Sequence, residues 1–219
     1  MKRFTRKYLD PASRLGEILF GLIMVLTVTL TAGLKAPEGK AGVRQLLIAA
    51  IGTNVAWGII DAVMYIMNAM VVRRGKIRLV EGVQHAADSK AAAALVEGEF
   101  EPELQELLDP KDAEALSKSV LKHIAGAHIT KKILTRDDLY GALASFWLVF
   151  ISCLPAALPF LIFSDPTVAL RVSNFLLLCG LFYLGYKWAS YSGRNPLLMG
   201  SGMVAVGLGL VSVAILLGG

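Results

Sequence analysis

The stretch from Gly52 to Met70, GTNVAWGIIDAVMYIMNAM, is apolar yet carries an aspartate, Asp61, at its centre. A carboxylate at membrane depth is costly unless a partner compensates it, so such a residue must face other helices or water rather than lipid. Asn54, Asp61 and Asn68 recur at intervals of seven, which places them on one side of a helix, with Trp57 and Met64 on or beside the same stripe. In an earlier apolar run, Glu17, Gly21, Met24, Thr27 or Val28, and Thr31 also fall along one side. Glu17 sits near the inner end of that run and Met24 near mid-depth. Carboxylates, an amide, hydroxyls and thioethers can therefore converge between two neighbouring helices.

That donor set suits a divalent transition metal. Carboxylates supply charge and hard oxygen, and methionine sulfur adds a soft, weak donor that favours iron-like or copper-like ions over calcium. No histidine or cysteine lies near the stripe, which keeps affinity modest, and an ion that binds too tightly will not leave. Glu17, Met24, Asn54, Asp61 and Met64 are the candidate path residues. Protonation of a buried carboxylate would compete with metal for the same oxygens. Other readings stay open: Glu17 as a headgroup-level charge paired with nearby Arg14, Asp61 as a structural fastening hydrogen-bonded to Asn54 or a neighbouring Ser or Thr, and Met64, Met67 and Met70 as packing residues.

A second set of acids, Glu97, Glu99, Glu101, Glu103, Glu106, Asp109, Asp112 and Glu114, lies in the polar middle of the chain. Glu97, Glu99, Glu103 and Glu106 are candidates for gathering cations, against the plainer reading of a solvated acidic face. The three histidines, His85, His123 and His128, share this segment but show no metal-ligand spacing. The apolar runs contain no histidine and no Ser/His/Asp set, and the polar segment offers no nucleophile with a base, so no enzyme is expected. No permanently bound cofactor is expected either.

The elements that position these residues follow from composition. Of 219 residues, 55% are hydrophobic and only 18% charged, against about a quarter charged in soluble domains, which indicates an integral membrane protein. The net charge of +5 reflects Lys and Arg at the ends of apolar runs rather than a nucleic-acid surface. Runs long enough to span a bilayer cover Leu15 to Leu34, Leu46 to Val72, Leu139 to Phe163, Val172 to Lys187 and Leu197 to Leu217. The fold class is therefore all-α, with five transmembrane helices and a small helical cytoplasmic insert between helices two and three. The expected parts are 1–72, the N-terminal tail with helices one and two; 73–138, the insert; and 139–219, helices three to five.

The basic start (Lys2, Arg3, Arg6, Lys7) resembles a signal-peptide n-region, but the apolar run behind it is too long and lacks a small-residue cleavage site. It reads as a retained helix. Arg73, Arg74, Lys76 and Arg78, then Lys131, Lys132 and Arg136, then Lys187 and Arg194 mark inner ends of spans. The expected orientation is N-terminus and insert in the cytoplasm and C-terminus outside, in the bacterial inner membrane. Tyr183, Tyr186, Trp188 and Tyr191 read as an interfacial belt. In the insert, Pro102 can open a helix through ELQELL, and KDAEALSKSVLKHIAG shows helical spacing with Gly126 as its stop. Pro155 and Pro159 each remove a backbone hydrogen bond and should bend the third span. Ser201, Ala205 and Gly209 form a small-residue stripe that favours close helix packing, within the subunit or across a dimer. Cys153 and Cys179 lie in apolar runs, as small core residues rather than a disulfide.

These runs resemble the vacuolar iron transporter (VIT) family. The resemblance is carried by RLGEILFGLIMVLTVTLTAGL in span one, ALASFWLVFISCLPAALPFLIF in span three, LLLCGLFYLGYKWASYSGRNPLLMGSGMVAVGLG near the end, and the placing of the insert. It implies a homodimer in the lipid bilayer with an ion path near its twofold axis, and export of Fe2+ or Mn2+ from the cytosol in exchange for protons. The chain departs from the family pattern at three points. Gly21 is followed by Leu22, Ile23 and Met24, without the acid of the family's Asp-Gly-Leu setting. Where the family's second span carries a glutamate and a methionine, this chain offers Asp61 and Met64. The opening of the insert, RRGKIRLVEGVQHAADSK, is basic and mixed instead of glutamate-rich. The alternative function is a non-transporting membrane scaffold or regulatory protein acting through its cytoplasmic helices.

Overall fold

The computed structural model describes residues 2–33, 39–100, 106–127 and 132–217. Among the described residues every regular element is a helix: α1 (Lys2–Tyr8), α2 (Pro11–Gly33), α3 (Gly39–Gln84), α4 (Ser89–Glu97), α5 (Pro110–Ala125), α6 (Arg136–Ser152), α7 (Leu154–Ile162), α8 (Pro166–Ser192) and α9 (Pro196–Leu216). Five stretches are long and apolar enough to cross a membrane: Pro11–Thr31, Ala41–Gln84, Arg136–Ile162, Pro166–Ser192 and Pro196–Leu216. Only 17% to 39% of each span's apolar window is buried. Large side chains such as Leu161, Ile162 and Phe175 are exposed, which a bilayer covers and water would not. The protein is an all-α integral membrane protein.

Local chemistry sets the helix ends. Asp10 opens α2: its carboxylate accepts the Ser13 backbone N–H at 2.9 Å and the Ser13 hydroxyl at 2.5 Å, with Pro11 in the first helical position. Asp165 and Asn195 cap α8 and α9 in the same way, each ahead of a proline. α8 therefore starts before the apolar run that suggested its span, and it stops at Gly193, which takes a left-handed φ of 64°. α3 continues to Gln84, beyond the expected end at Val72, because the charged residues that follow are good helix formers.

The chain divides into two compact units, Met1–Ile66 with Arg136–Gly219, and Met67–Thr135. In the first, α2 is the central helix. Its Leu22, Ile23, Val25 and Leu26 form a core with Leu177 and Leu181 of α8 and Val211 of α9. The α8–α9 pair is close because glycines line it: a Cβ on Gly185 would come within 2.9 Å of the Gly200 Cα, and one on Gly200 within 2.8 Å of the Phe182 ring. The close packing in α9 thus uses Gly200 and Gly207, while Ser201, Ala205 and Gly209 are exposed. Cys153 and Cys179 are free thiols.

In the second unit, Val83, Ala92 and Val96 pack with Val120, Leu121 and Ile124 of α5. Asp88 caps α4 by accepting the Ala91 N–H at 2.7 Å. Pro110 opens α5 from Asp109, and the helix stops before Gly126. The Gln84 amide closes its C-terminus by donating to the carbonyls of Ile124 and Ala127. Glu101, Pro102, Glu103, His128 and Lys131, with the helix expected from Pro102, lie outside the described residues.

Candidate functional site

Three helices of the first unit, α2, α3 and α6, bring polar groups together. The apolar span that contains α6 is interrupted at Cys153, two residues before Pro155. At the interruption the Cys153 N–H bonds the Phe150 carbonyl at 3.2 Å instead of the Val149 carbonyl one step earlier. The Val149 oxygen is thereby released from the helix ladder, and in a bilayer it must find another donor. It finds two: the Asn54 Nδ2 of α3 at 2.9 Å and the Ser152 hydroxyl at 2.6 Å. Asn54 Nδ2 also lies 3.2 Å from Ser152 Oγ and 3.3 Å from the Gly21 carbonyl of α2. This fully buried amide ties three helices at one level. Gly21 permits the approach, since a Cβ there would overlap Ser152 Oγ and come within 2.8 Å of the Val149 oxygen.

One turn along α2 and two along α3 lies the second level. The Ser145 hydroxyl of α6 donates to Glu17 Oε1 at 2.6 Å, and the Glu17 carboxyl lies beside that of Asp61, close enough for the two to interact. Glu17 Oε2 and Asp61 Oδ2 are shielded from solvent and have no hydrogen-bond partner among the described residues. Arg14 does not reach Glu17 in an ion pair; its Nε donates to the Asp10 carbonyl at 3.3 Å. Two bare carboxylates in contact repel, and a proton or a cation held between them removes the repulsion. The arrangement can therefore take up one or exchange one for the other.

The third level holds Tyr65 of α3 and Gly141 of α6. A Cβ on Gly141 would overlap the Tyr65 ring, and the Tyr65 hydroxyl donates to the Tyr8 carbonyl at the end of α1, 3.1 Å away. Three levels thus pair Asn54 with Ser152, place Asp61 and Ser145 around Glu17, and seat Tyr65 on Gly141. The steps of α3 and α6 match because the helices run antiparallel with the same seven-residue spacing.

Of the residues singled out from spacing, Glu17, Asn54 and Asp61 belong to this seam. Met24 packs against the apolar core instead. Met64 is 60% exposed, and Trp57 and Asn68 are exposed as well. From Asn54 the buried edge of α3 continues through Gly58, Asp61 and Tyr65, while Trp57 and Met64 lie on the opposite flank. Thr27 hydrogen-bonds the Ile23 carbonyl of its own helix at 2.9 Å. Gly21, on the same side of its helix as Glu17, belongs to the seam too, whereas Ser145, Ser152, Tyr65 and Gly141 were not singled out as partners. The signal for the serines was available, since they stand seven apart and match Asn54 and Asp61.

In the second unit, Glu99 and Glu106 are exposed and Glu97 ends α4. Glu103 lies outside the described residues. Among the described residues no three His, Cys, Asp or Glu side chains are grouped to hold a metal ion.

No curated protein matches the chain. The model of the VIT family matches residues 80–219, which take in the last three spans and leave Glu17, Asn54 and Asp61 outside the match. Because the match covers more than half of the chain, this membrane protein belongs to the VIT family, a family of metal-ion transporters.

Proposed function

We propose that the protein carries a divalent transition metal, Fe2+ or Mn2+, out of the cytosol in exchange for protons, and that Glu17 and Asp61 hold the ion in passage. The observation that carries this reading is the contact between the two carboxyl groups inside the spans, with unpartnered oxygens on both. The pair has two compensated states, one protonated and one metal-bound, and the same oxygens serve both. Loading the metal releases protons, and reprotonation from the other side expels the metal. Ser145 orients Glu17 and Asn54 holds the helix break one level away. The donors inside this chain's seam are oxygens alone, which suits hard or borderline ions and weak, reversible binding.

The reading includes a homodimer. The exposed flank of α3 carries Trp57, Met64 and Met67 together with the amide of Asn68, a group that lipid cannot satisfy and a second helix can. It also includes the bacterial inner membrane, with the N-terminus and the insert, residues 73–138, cytoplasmic and the C-terminus outside, and Glu97, Glu99, Glu103 and Glu106 attracting cations to the inner face. The test is Fe2+ and Mn2+ flux in proteoliposomes bearing a pH gradient, wild type against Asp61→Ala. A large loss of flux with metal-coupled proton movement in the wild type is expected. Equal rates remove Asp61 from the mechanism and turn the reading towards a scaffold.

A further inference from the structure

We propose that the groove between the start of α3 and the turn from α7 to α8 is a site for one anionic phospholipid, with an acyl chain along its apolar walls and the phosphate on Arg44. The site stands apart from the carboxyl seam and needs nothing from the transport reading.

The groove encloses about 600 Å³, within the roughly 300–1,000 Å³ of sites that hold small molecules. Arg44, Leu47, Ile48 and Ile51 form one wall, and their spacing puts them on a single face of α3. Phe160, Phe163 and Ser164 belong to the other wall, where α7 ends and the chain turns into α8. The polar groups gather at one end. Arg44 stands in the first turn of the span that begins at Ala41, and Ser164 lies between the spans that end at Ile162 and begin at Pro166, so both sit at headgroup level. Ile51 and Phe160 lie deeper. From Arg44 to Ile51 the wall runs about 10 Å along the helix, against roughly 15 Å of hydrocarbon in one leaflet. The groove therefore has the depth of a lipid chain and a cation where the chain's phosphate would be.

Charge decides what fills it. Arg44 is exposed and has no ion pair among the described residues. Across the groove the nearest acid in sequence is Asp165, and its carboxylate is committed to its own helix, accepting the Thr167 and Val168 N–H groups at 2.7 and 3.2 Å. Between Gly39 and Ile51 and between Phe160 and Arg171 the chain holds no other acid. A second copy meeting this face with its own would bring cation against cation, whereas a phospholipid brings a phosphate that an arginine fork binds well. Basic pockets between membrane helices hold anionic headgroups on this principle. The Ser164 hydroxyl is placed to donate to the same headgroup, and Ile48 and Phe163, 59% and 40% exposed, need an apolar cover that the chain supplies.

The test counts lipids on the purified full-length protein by native mass spectrometry, with phosphatidylglycerol, phosphatidylcholine or inorganic phosphate titrated into the detergent. Wild type should hold one phosphatidylglycerol per chain about ten-fold more tightly than Arg44→Gln does, the weight of one charge-assisted hydrogen bond, and should prefer it to phosphatidylcholine. Arg171→Gln removes an exposed cation near the start of α8 that does not line the groove, and it should bind as wild type does. Ile48→Trp fills the groove from an exposed position and should lose the lipid with Arg44 intact. The site is overturned by a difference below about two-fold between wild type and Arg44→Gln, or by an equal loss in Arg171→Gln, which would mean diffuse charge. Full binding in Ile48→Trp, or displacement of the lipid by millimolar inorganic phosphate, would leave a bare anion site and overturn it too. A change of oligomeric mass in Arg44→Gln at constant lipid count would make the groove a contact between copies instead.

Discussion

The Asn54 side chain donates to the Val149 carbonyl at 2.9 Å, at the step where the third span loses its helical hydrogen bond. A polar residue in the second span thus satisfies a defect in the third, and the level of that repair sets the level of the carboxyl pair. Four predictions follow from the seam and the helix end beside it.

Asn54→Leu keeps much of the side-chain volume and leaves the Val149 and Gly21 carbonyls without their shared donor. The Val149 carbonyl keeps the Ser152 hydroxyl, so a loss of roughly 1–3 kcal/mol is expected, the size of two lost hydrogen bonds. Thermal unfolding in detergent checks it, and an unchanged midpoint would show that the break is held by something other than this amide.

Gly21→Ala places a methyl group against the Ser152 hydroxyl and the Val149 oxygen. Backbone on one side and a bonded hydroxyl on the other cannot give way cheaply, so about 1–3 kcal/mol of overpacking strain is expected. Gly52→Ala, where the added Cβ meets nothing within 4 Å, serves as the control and should be neutral or slightly stabilising in the same melt.

Asp61→Asn and Glu17→Gln separate function from fold. Each removes the repulsion between two acids in contact while nearly keeping shape, so thermal stability should hold or rise. Metal flux coupled to protons should fall by an order of magnitude or more in both, because one carboxylate alone cannot trade a divalent ion for protons at charge balance. A stability loss with flux intact would instead mark the pair as a fastening.

Asp10 should give the start of α2 a pH dependence. The Ser13 hydroxyl, followed by the Ser13 backbone N–H, holds the Asp10 carboxyl below its ordinary value. A carboxyl lowered by folding contributes stability above its unfolded pKa, and that contribution is lost as pH falls through the folded value. Asp10→Ala should therefore lower stability by roughly 0.5 kcal/mol at neutral pH, the low end for a helix cap because the site is exposed. The gap to wild type should close as the pH falls below about 4. Melts of both proteins across that range decide it, and a gap that persists in acid would sink the capping assignment.

The five spans were legible in the sequence because lipid acts on each run by itself: twenty or so apolar residues must form a helix whatever their neighbours do. Of the two prolines expected to bend the third span, Pro155 stands beside the break at Cys153, whereas Pro159 lies inside α7 without interrupting it. Asp61 announced a buried partner through its misplaced charge, and Glu17 was the acid offered. Which flank of α3 turns inward was not legible. Residues three and four positions from Asn54 sit on either side of it, and only contact with α2 and α6 chose Gly58 and Tyr65 over Trp57 and Met64. Arg14 was as near to Glu17 in sequence as any partner, yet Glu17 bonds Ser145, 128 positions away. Hydrophobicity and backbone valence are properties of one segment and can be read from it; the pairing of polar groups across helices depends on register between segments, which packing alone decides.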